Sequence, residues 1–168
     1  YKTGNVTAEF GKLPTLIGFE VIESPANYNF SRSYLFGWGP FIQTGGRVYW
    51  QATPTIKAVF GINNGWDQLP TNLTPKTVEA QLAWSPTDKF FISVEGDSGM
   101  QDGGEGAVGG PVSIGLRQIL DLVSTYAPTK SLTLGLNAVA GYQGHAIRPD
   151  GNGGTVTDSA HWHAQALY

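Results

Sequence analysis

The stretch from Val78 to Val94, VEAQLAWSPTDKFFISV, shows the repeating structural unit of this chain most clearly. The apolar residues in it are Val78, Ala80, Leu82 and Trp84 before the turn and Phe90, Ile92 and Val94 after it. They occupy every second position, which is the period of a β-strand whose two faces meet different surroundings. Because Pro86 and Asp88 favour a tight turn between the two runs, the stretch predicts a β-hairpin.

The same unit recurs along the chain, and its connections alternate in length. Short proline-containing turns fall at residues 52–54, 85–88 and 127–130, whereas long Gly-rich or polar connections fall at 13–40, 64–76, 98–115 and 142–157. Alternating short turns and long loops are typical of an up-and-down antiparallel β-barrel that crosses a membrane. We therefore predict an all-β single domain over residues 1–168, with about eight strands of roughly 9–11 residues.

Composition supports this fold class and excludes several functions. Charged residues make up 14% of the 168 residues, against roughly 25% in an average soluble domain. The net charge of −3 argues against a nucleic-acid partner, which a basic patch would attract. No apolar run approaches the roughly 20 residues of a transmembrane helix. The sequence contains no cysteine and no phosphate-binding, haem or metal motif, so we expect no cofactor, no metal site and no enzymatic activity.

Aromatic residues concentrate near the short turns and at the end of the chain. They are Tyr49, Trp50, Trp84, Phe90, Tyr126 and Tyr168. Aromatic side chains favour the boundary between water and lipid, so we predict that these six form the girdle of a barrel embedded in a lipid bilayer.

Polar residues on the opposite faces of the strands are the candidate lining of a pore. They are Arg47, Lys57, Glu79, Gln81, Glu95, Asp97, Asp121, Asn137 and His163. Charged rings in a pore set its ion selectivity, and acidic residues outnumber basic ones here, so we expect a weak preference for cations. The alternative is a network of ion pairs that fills a closed barrel.

The connection at residues 13–40 is the second candidate site. It is long, and it carries Phe19, Tyr28, Phe30, Tyr34, Phe36 and Trp38. Such aromatic content suits a segment packed against a wall. We predict that it enters the lumen as a constriction, with Glu20, Glu23 and Arg32 facing the passage; the alternative is a cap on the outer rim.

Several local motifs resemble the OmpL-like β-barrel porin family. These are residues 18–25, 29–36 and 39–40, the Asn-Gly-Trp-Asp motif at 64–67 followed by Lys76 and Thr77, and residues 117–121 with 125–128. The resemblance implies an outer-membrane channel of a Gram-negative-type bacterium. Members of that family are usually longer, and the chain starts at Tyr1, so we expect the natural polypeptide to have additional strands.

The sequence thus predicts a porin-like channel through which small solutes or ions diffuse passively, in a form that could also assemble as a homo-oligomer. Two alternatives remain open. One is a soluble eight-stranded ligand-binding barrel of the lipocalin or streptavidin type, with its apolar face inward. The other is a small filled outer-membrane barrel with a structural or adhesive role.

Overall fold

A computed structural model describes residues 1–68, 76–102, 114–149, 152 and 154–168. The strands are β1 (Lys2–Thr3), β2 (Val6–Pro14), β3 (Ile42–Thr53), β4 (Ile56–Asn63), β5 (Thr77–Thr87), β6 (Phe90–Asp102), β7 (Ile114–Thr129), β8 (Leu132–Pro149) and β9 (Thr155–Leu167). Two short 3₁₀ helices, Ser24–Ala26 and Tyr34–Gly37, lie between β2 and β3. Among the described residues, no helix has the length and hydropathy of a membrane span.

The described strands form one antiparallel sheet in which each strand pairs with the next along the chain. The prediction of an all-β up-and-down topology is therefore confirmed, with eight long strands and the two-residue β1 at the edge. No pairing joins β9 to β1 or β2 within the described part of the chain, so the sheet is open there.

The three short turns share one construction. Each joins its two strands through two residues, and each follows a register shift near the end of the incoming strand. In each turn a threonine hydroxyl, that of Thr53, Thr87 or Thr129, accepts a backbone N–H two residues later, at 3.3 Å. Pro86 and Pro128 lie inside the register shifts, where a residue without an N–H costs no ladder hydrogen bond.

Two of the predicted long connections contain more strand than expected. β6 continues to Asp102 and β7 begins at Ile114, while β8 continues to Pro149 and β9 begins at Thr155. Gly-rich and polar sequence hides these strand ends because their alternation lacks large apolar residues. The middles of the predicted connections at 64–76, 98–115 and 142–157 include residues outside the described part of the chain.

The two faces of the sheet have opposite character. On one face, which we call the outer face, large apolar side chains are exposed: Phe10, Val48, Trp50, Phe60, Leu82, Val94 and Leu120 among others. On the other, the inner face, the buried side chains are mostly polar. A soluble sheet that buries one face places its apolar side chains on that face, and this sheet does the reverse.

The connection between β2 and β3, residues 15–41, lies on the inner face, and we call it the strap. Ile17 of the strap forms a small apolar cluster with Ile119 of β7 and Val139 of β8. The Phe19 ring packs on Tyr168 with centroids 4.7 Å apart. The Phe19 ring also occupies the space over Gly135, because a Cβ there would come within 3.2 Å of it. The strap therefore fills the space that the absent side chain of Gly135 leaves on the inner face of the sheet, which we also call the wall.

Candidate functional site: the polar inner face

Eight of the nine residues predicted to line a pore lie on the inner face. The strand register aligns them in rows across the sheet, with Glu79 opposite Asp97, Gln81 opposite Glu95, and Glu95 opposite Asp121. Arg47, Glu79, Glu95, Asp97, Asp121 and Asn137 are buried there, while Lys57 and Gln81 are half-buried. The structure thus brings these side chains together, and their role in lining a solute path stays a prediction.

Arg47 and Glu79 form the central ion pair of this face. The guanidinium donates from Nε to Glu79 Oε1 and from Nη2 to Glu79 Oε2, each at 2.8 Å. Nη2 also donates to Gln43 Oε1 at 2.8 Å, and Nη1 to the Pro14 carbonyl at 3.0 Å. Two parallel bonds fix the planes of both groups, so the pair is rigid as well as neutral.

Gly61 makes this ion pair possible. It lies directly opposite Glu79 in the sheet, and a Cβ at Gly61 would lie 2.1 Å from Glu79 Oε1. The Glu79 side chain therefore lies across the wall instead of projecting from it. Gly61 therefore provides space for the Glu79 side chain and does not widen an empty lumen.

Asp121 and Asn137 hold the strap on the wall. The Gly18 N–H donates to Asp121 Oδ2 at 2.6 Å, and the Phe19 N–H donates to Asn137 Oδ1 at 3.3 Å. Asn137 Nδ2 in turn donates to Asp121 Oδ1, so the two wall residues support each other. Two consecutive backbone N–H groups of the strap thus find acceptors on β7 and β8.

The charged strap residues predicted to face a passage are bonded within the strap. Glu20 accepts the Ser33 N–H at 3.0 Å and also the Ser33 hydroxyl. Arg32 donates to the Ile22 carbonyl at 2.5 Å and lies over the Phe36 ring, 4.9 Å from its centroid. Glu23 is exposed. Glu20 and Arg32 therefore fold the strap into a compact unit, and their effect on a passing solute stays a prediction.

Three sequence-based assignments to a face need correction. His163 lies opposite Ala140 on the outer face, because β9 pairs with β8 so that Trp162, Ala164 and Ala166 share the inner face with Asn137. Tyr49 and Tyr168 lie on the inner face. Tyr49 is two residues from Arg47 on the same strand and therefore shares its face, and Tyr168 packs on Phe19. They are therefore not girdle residues.

The other four girdle residues lie on the outer face near the short turns. Trp84 contacts Phe90 edge to face, with centroids 6.3 Å apart, and Phe90 pairs with Tyr126. Trp50 is 51% exposed. This grouping has the geometry of an aromatic girdle, although contact with lipid itself stays a prediction.

Sequence reasoning left several buried polar residues out of the site. They are Gln43, Asn63, Thr77, Ser93, Gln101 and Gln143. Gln101 and Gln143 fell in segments predicted as loops, whereas Gln43, Asn63, Thr77 and Ser93 already had the correct parity on predicted strands. Extending the alternation into the predicted loops would have found Gln101 and Gln143, and counting every polar residue on the inward parity would have found the other four.

The Asn-Gly-Trp-Asp motif has a structural role at the end of the sheet that carries the long connections. Asp67, with φ of 54°, accepts the N–H groups of Phe41 and Ile42 at 2.8 Å each. Gly65, with φ of 109°, adopts a conformation that a side chain would strain. The motif thereby secures the start of β3 and directs Trp66 towards the inner face, where it packs near Ile17.

An antiparallel sheet with a buried polar face and an exposed apolar face defines the class of β-barrels of the porin type. The sequence model of the family described as "Putative beta-barrel porin-2, OmpL-like" matches residues 1–168, the whole chain. This chain belongs to that family. None of the curated proteins and none of the solved structures compared with the chain is significantly similar to it.

Proposed function

We propose that this chain forms the wall of a porin-like channel in a bacterial outer membrane and lets small solutes or ions pass by diffusion. The observation that carries the proposal is the reversed polarity of the sheet: Glu79 and Asp121 are 2% and 1% exposed on the inner face, while Leu120 is 59% exposed on the outer face. Family membership supports a porin-like role. Passive diffusion requires no cofactor, nucleotide or catalytic group, and the proposal includes none.

Cations are the solutes that the inner-face charges favour. The charged residues buried among the described residues are Arg47, Glu79, Glu95, Asp97 and Asp121. Because Arg47 neutralises Glu79, the other three buried carboxylates outnumber the half-buried cations Lys57 and Arg117 on the same face, which leaves an acidic excess. Carboxylates along a conduction path attract cations and repel anions.

The strap is the constriction in this proposal. It touches the wall through Gly18 and Phe19, close to the acidic row formed by Glu95 and Asp121. A solute that crosses the inner face must pass between the strap and those strands that the strap does not touch. The size of the solute is then set by the strap, and its charge by the wall.

Planar-bilayer recording of the folded protein tests the proposal. In a salt gradient, the reversal potential of the unaltered protein should have the sign expected for a cation-selective channel. The double variant Glu95→Gln with Asp121→Asn should move that potential towards zero, because both charges are removed. The amide oxygen introduced at position 121 can still accept the Gly18 N–H, so this strap contact is kept, whereas the bond from Asn137 Nδ2 is lost. Glu79 is left in place because it neutralises Arg47.

The matched control is Asp88→Asn, which removes a carboxylate from the exposed turn between β5 and β6. It should leave the reversal potential unchanged. An equal shift in the control, or no shift in the double variant, would refute the assignment of the inner face to the conduction path. Folded protein that gives no channel events would refute diffusion itself and favour the filled barrel, which the seating of the strap on the wall also suits.

A further inference from the structure

A polar hollow lies on the inner face near the short turns, between strands β1 to β4. Its volume is about 480 Å³, within the roughly 300–1,000 Å³ of small-molecule sites. The strand register brings its lining together, because Lys2 lies opposite Thr7, Thr7 opposite Tyr49, and Lys57 opposite Gln51. The side chains that line it are Lys2, Asn5, Thr7, Glu9, Tyr49, Gln51 and Lys57.

The hairpin of β1 and β2 holds Lys2 at the rim of this hollow. Its two-residue turn begins with Gly4, whose φ of 53° suits a tight hairpin turn. Asn5 then ties the turn to β3, because its Nδ2 donates to the Gln51 carbonyl at 2.9 Å and its own carbonyl accepts the Gln51 N–H at 2.9 Å. The position of Lys2 is therefore fixed by the sheet, although β1 has only two residues.

The charged groups of the hollow are open to a ligand. Among the described residues, neither Lys2 nor Lys57 makes an ion pair or a hydrogen bond through its ammonium group, and Glu9 makes no ion pair. Lys57 is half-buried with Nζ 6.0 Å from the centre of the Tyr49 ring, whereas Lys2 and Glu9 are exposed. The Tyr49 hydroxyl interacts with Glu9. A carboxylate has about four lone-pair positions, so this contact leaves most of them open.

These groups together select an oxyanion that still carries a proton. The two ammonium groups donate hydrogen bonds to an anion and attract its charge. The carboxylate of Glu9 repels an anion unless that anion donates a hydrogen bond to it. Phosphate at neutral pH keeps at least one P–O–H group, which can donate to a carboxylate, whereas sulfate keeps no such group. The hollow therefore favours phosphate over sulfate.

We propose that the hollow between Lys2, Glu9 and Lys57 is a binding site for inorganic phosphate. The two lysines donate to the unprotonated oxygens, and the P–O–H group donates to Glu9. This inference goes beyond the proposed function, because a phosphate ion in the hollow need not cross the acidic row of Glu95 and Asp121. The phosphate head group of a lipid shares this chemistry, but the hollow lies on the inner face and the apolar outer face is the one that suits lipid.

Isothermal titration calorimetry of the folded protein, in a non-ionic detergent and Tris buffer at pH 7, tests the site independently of conduction. The probes are sodium phosphate and sodium sulfate at equal ionic strength. Phosphate should bind, and sulfate should bind at least about tenfold more weakly, because repulsion replaces a charge-assisted hydrogen bond to Glu9. Equal affinity for the two ions, or no binding of phosphate, would overturn the proposal.

Lysine variants test which groups hold the ion. Lys2→Gln and Lys57→Gln should each weaken phosphate binding about three- to tenfold, since solvent screens the charges of an open hollow. Lys130→Gln is the matched control, because it removes the same charge from an exposed turn at the same end of the sheet and should leave binding unchanged. Lys2 is exposed, so its variant keeps the test valid even if Lys57→Gln fails to fold. Unchanged binding in the folded lysine variants, or an equal loss in the control, would refute the site.

Glu9→Gln tests the selectivity itself. An amide does not repel sulfate, so sulfate should bind this variant more tightly than the unaltered protein, and the ratio of the two affinities should fall towards one. An unchanged ratio would contradict the role of Glu9. Phosphatidic acid added to the micelles should not displace phosphate, and displacement would overturn the assignment of the hollow to the free ion.

Discussion

At the scale of single residues, the inner face depends on charges that are buried with their partners. Arg47 and Glu79 are 2% exposed each and make two parallel hydrogen bonds. Removing one member of such a pair leaves the other charge uncompensated, which costs more than the pair contributes. Asp97 differs, because one of its carboxylate oxygens is buried and has no partner among the described residues.

Glu79→Gln should therefore lower the free energy of unfolding by about 3–5 kcal/mol, because Arg47 loses its counter-charge. Urea unfolding in lipid vesicles, followed by tryptophan fluorescence, measures this change. Glu9→Gln is the matched control: Glu9 lies opposite Arg47 in β2 but is exposed, and it should change stability by less than about 1 kcal/mol. Equal losses in the two variants would contradict the central role of the pair.

Gly61→Ala provides a steric test of the same ion pair. Its methyl group would lie within 2.8 Å of Glu79 Cγ and Cδ as well as Oε1, and the carboxylate cannot move aside without leaving Arg47. We expect the free energy of unfolding to fall by about 1–3 kcal/mol, as measured by urea unfolding in lipid vesicles. Gly37→Ala, where a Cβ would meet nothing within 4 Å, should be close to neutral. A neutral Gly61→Ala would show that the wall can adjust to the added methyl group.

At the scale of elements, the strap is attached to the sheet at a few points. Asp121 and Asn137 hold two of its backbone N–H groups, and Ile17 covers Val139. Its central part, including the helix Ser24–Ala26, is exposed. A segment held by few buried contacts can open locally without unfolding the sheet.

Cysteine labelling can detect that opening, because the natural sequence contains no cysteine. A cysteine introduced by Val139→Cys should react slowly with a water-soluble thiol reagent while Ile17 covers it. Adding Asp121→Ala and Asn137→Ala removes the two anchors and should raise the labelling rate about 5- to 150-fold, as the loss of about 1–3 kcal/mol of hydrogen bonding implies. Adding Thr133→Ala to Val139→Cys instead should leave the labelling rate unchanged, because Thr133 is an exposed residue of the same strand. An unchanged rate in the anchor variant would mean that the strap is held by other contacts.

At the scale of the whole molecule, the question is which solvent the outer face meets. A soluble barrel of the lipocalin type would expose polar side chains to water and bury apolar ones inside. This sheet exposes Phe10, Leu82 and Leu120 at 81%, 58% and 59%. The arrangement favours lipid around the sheet, and we expect the protein to stay monodisperse only in detergent or lipid.

Leu120→Arg separates the two environments. In water, an arginine at this exposed position would change stability little. At the centre of a bilayer it should cost about 2–4 kcal/mol, whereas Leu132→Arg, beside a short turn, should cost about 0–1 kcal/mol. Unfolding in vesicles measures both variants. Near-zero cost for Leu120→Arg, together with a monodisperse protein in plain buffer, would favour the soluble barrel.

Most of each strand could be predicted from the sequence, because the alternation of apolar and polar residues is a local property. A period of two in Val78–Trp84 fixes which side chains share a face, and Pro86 and Pro128 mark where the chain reverses. The inner-face set from Arg47 to Asn137 followed from the same alternation. Gly-rich strand ends were missed because they carry too few large apolar residues to show the period.

Which side of β9 faces inward, where the strap lies and which aromatic rings are in contact depend on the tertiary structure. The inner side of β9 depends on its register with β8, including a shift between Gln143 and Ala146, and a one-residue change of register exchanges the faces. That register places His163 outward and Trp162 inward. Trp66 and Trp162 meet because β9 follows β8 in the sheet while the Asn-Gly-Trp-Asp motif turns inward. Such contacts join residues distant in sequence, and no local pattern encodes them.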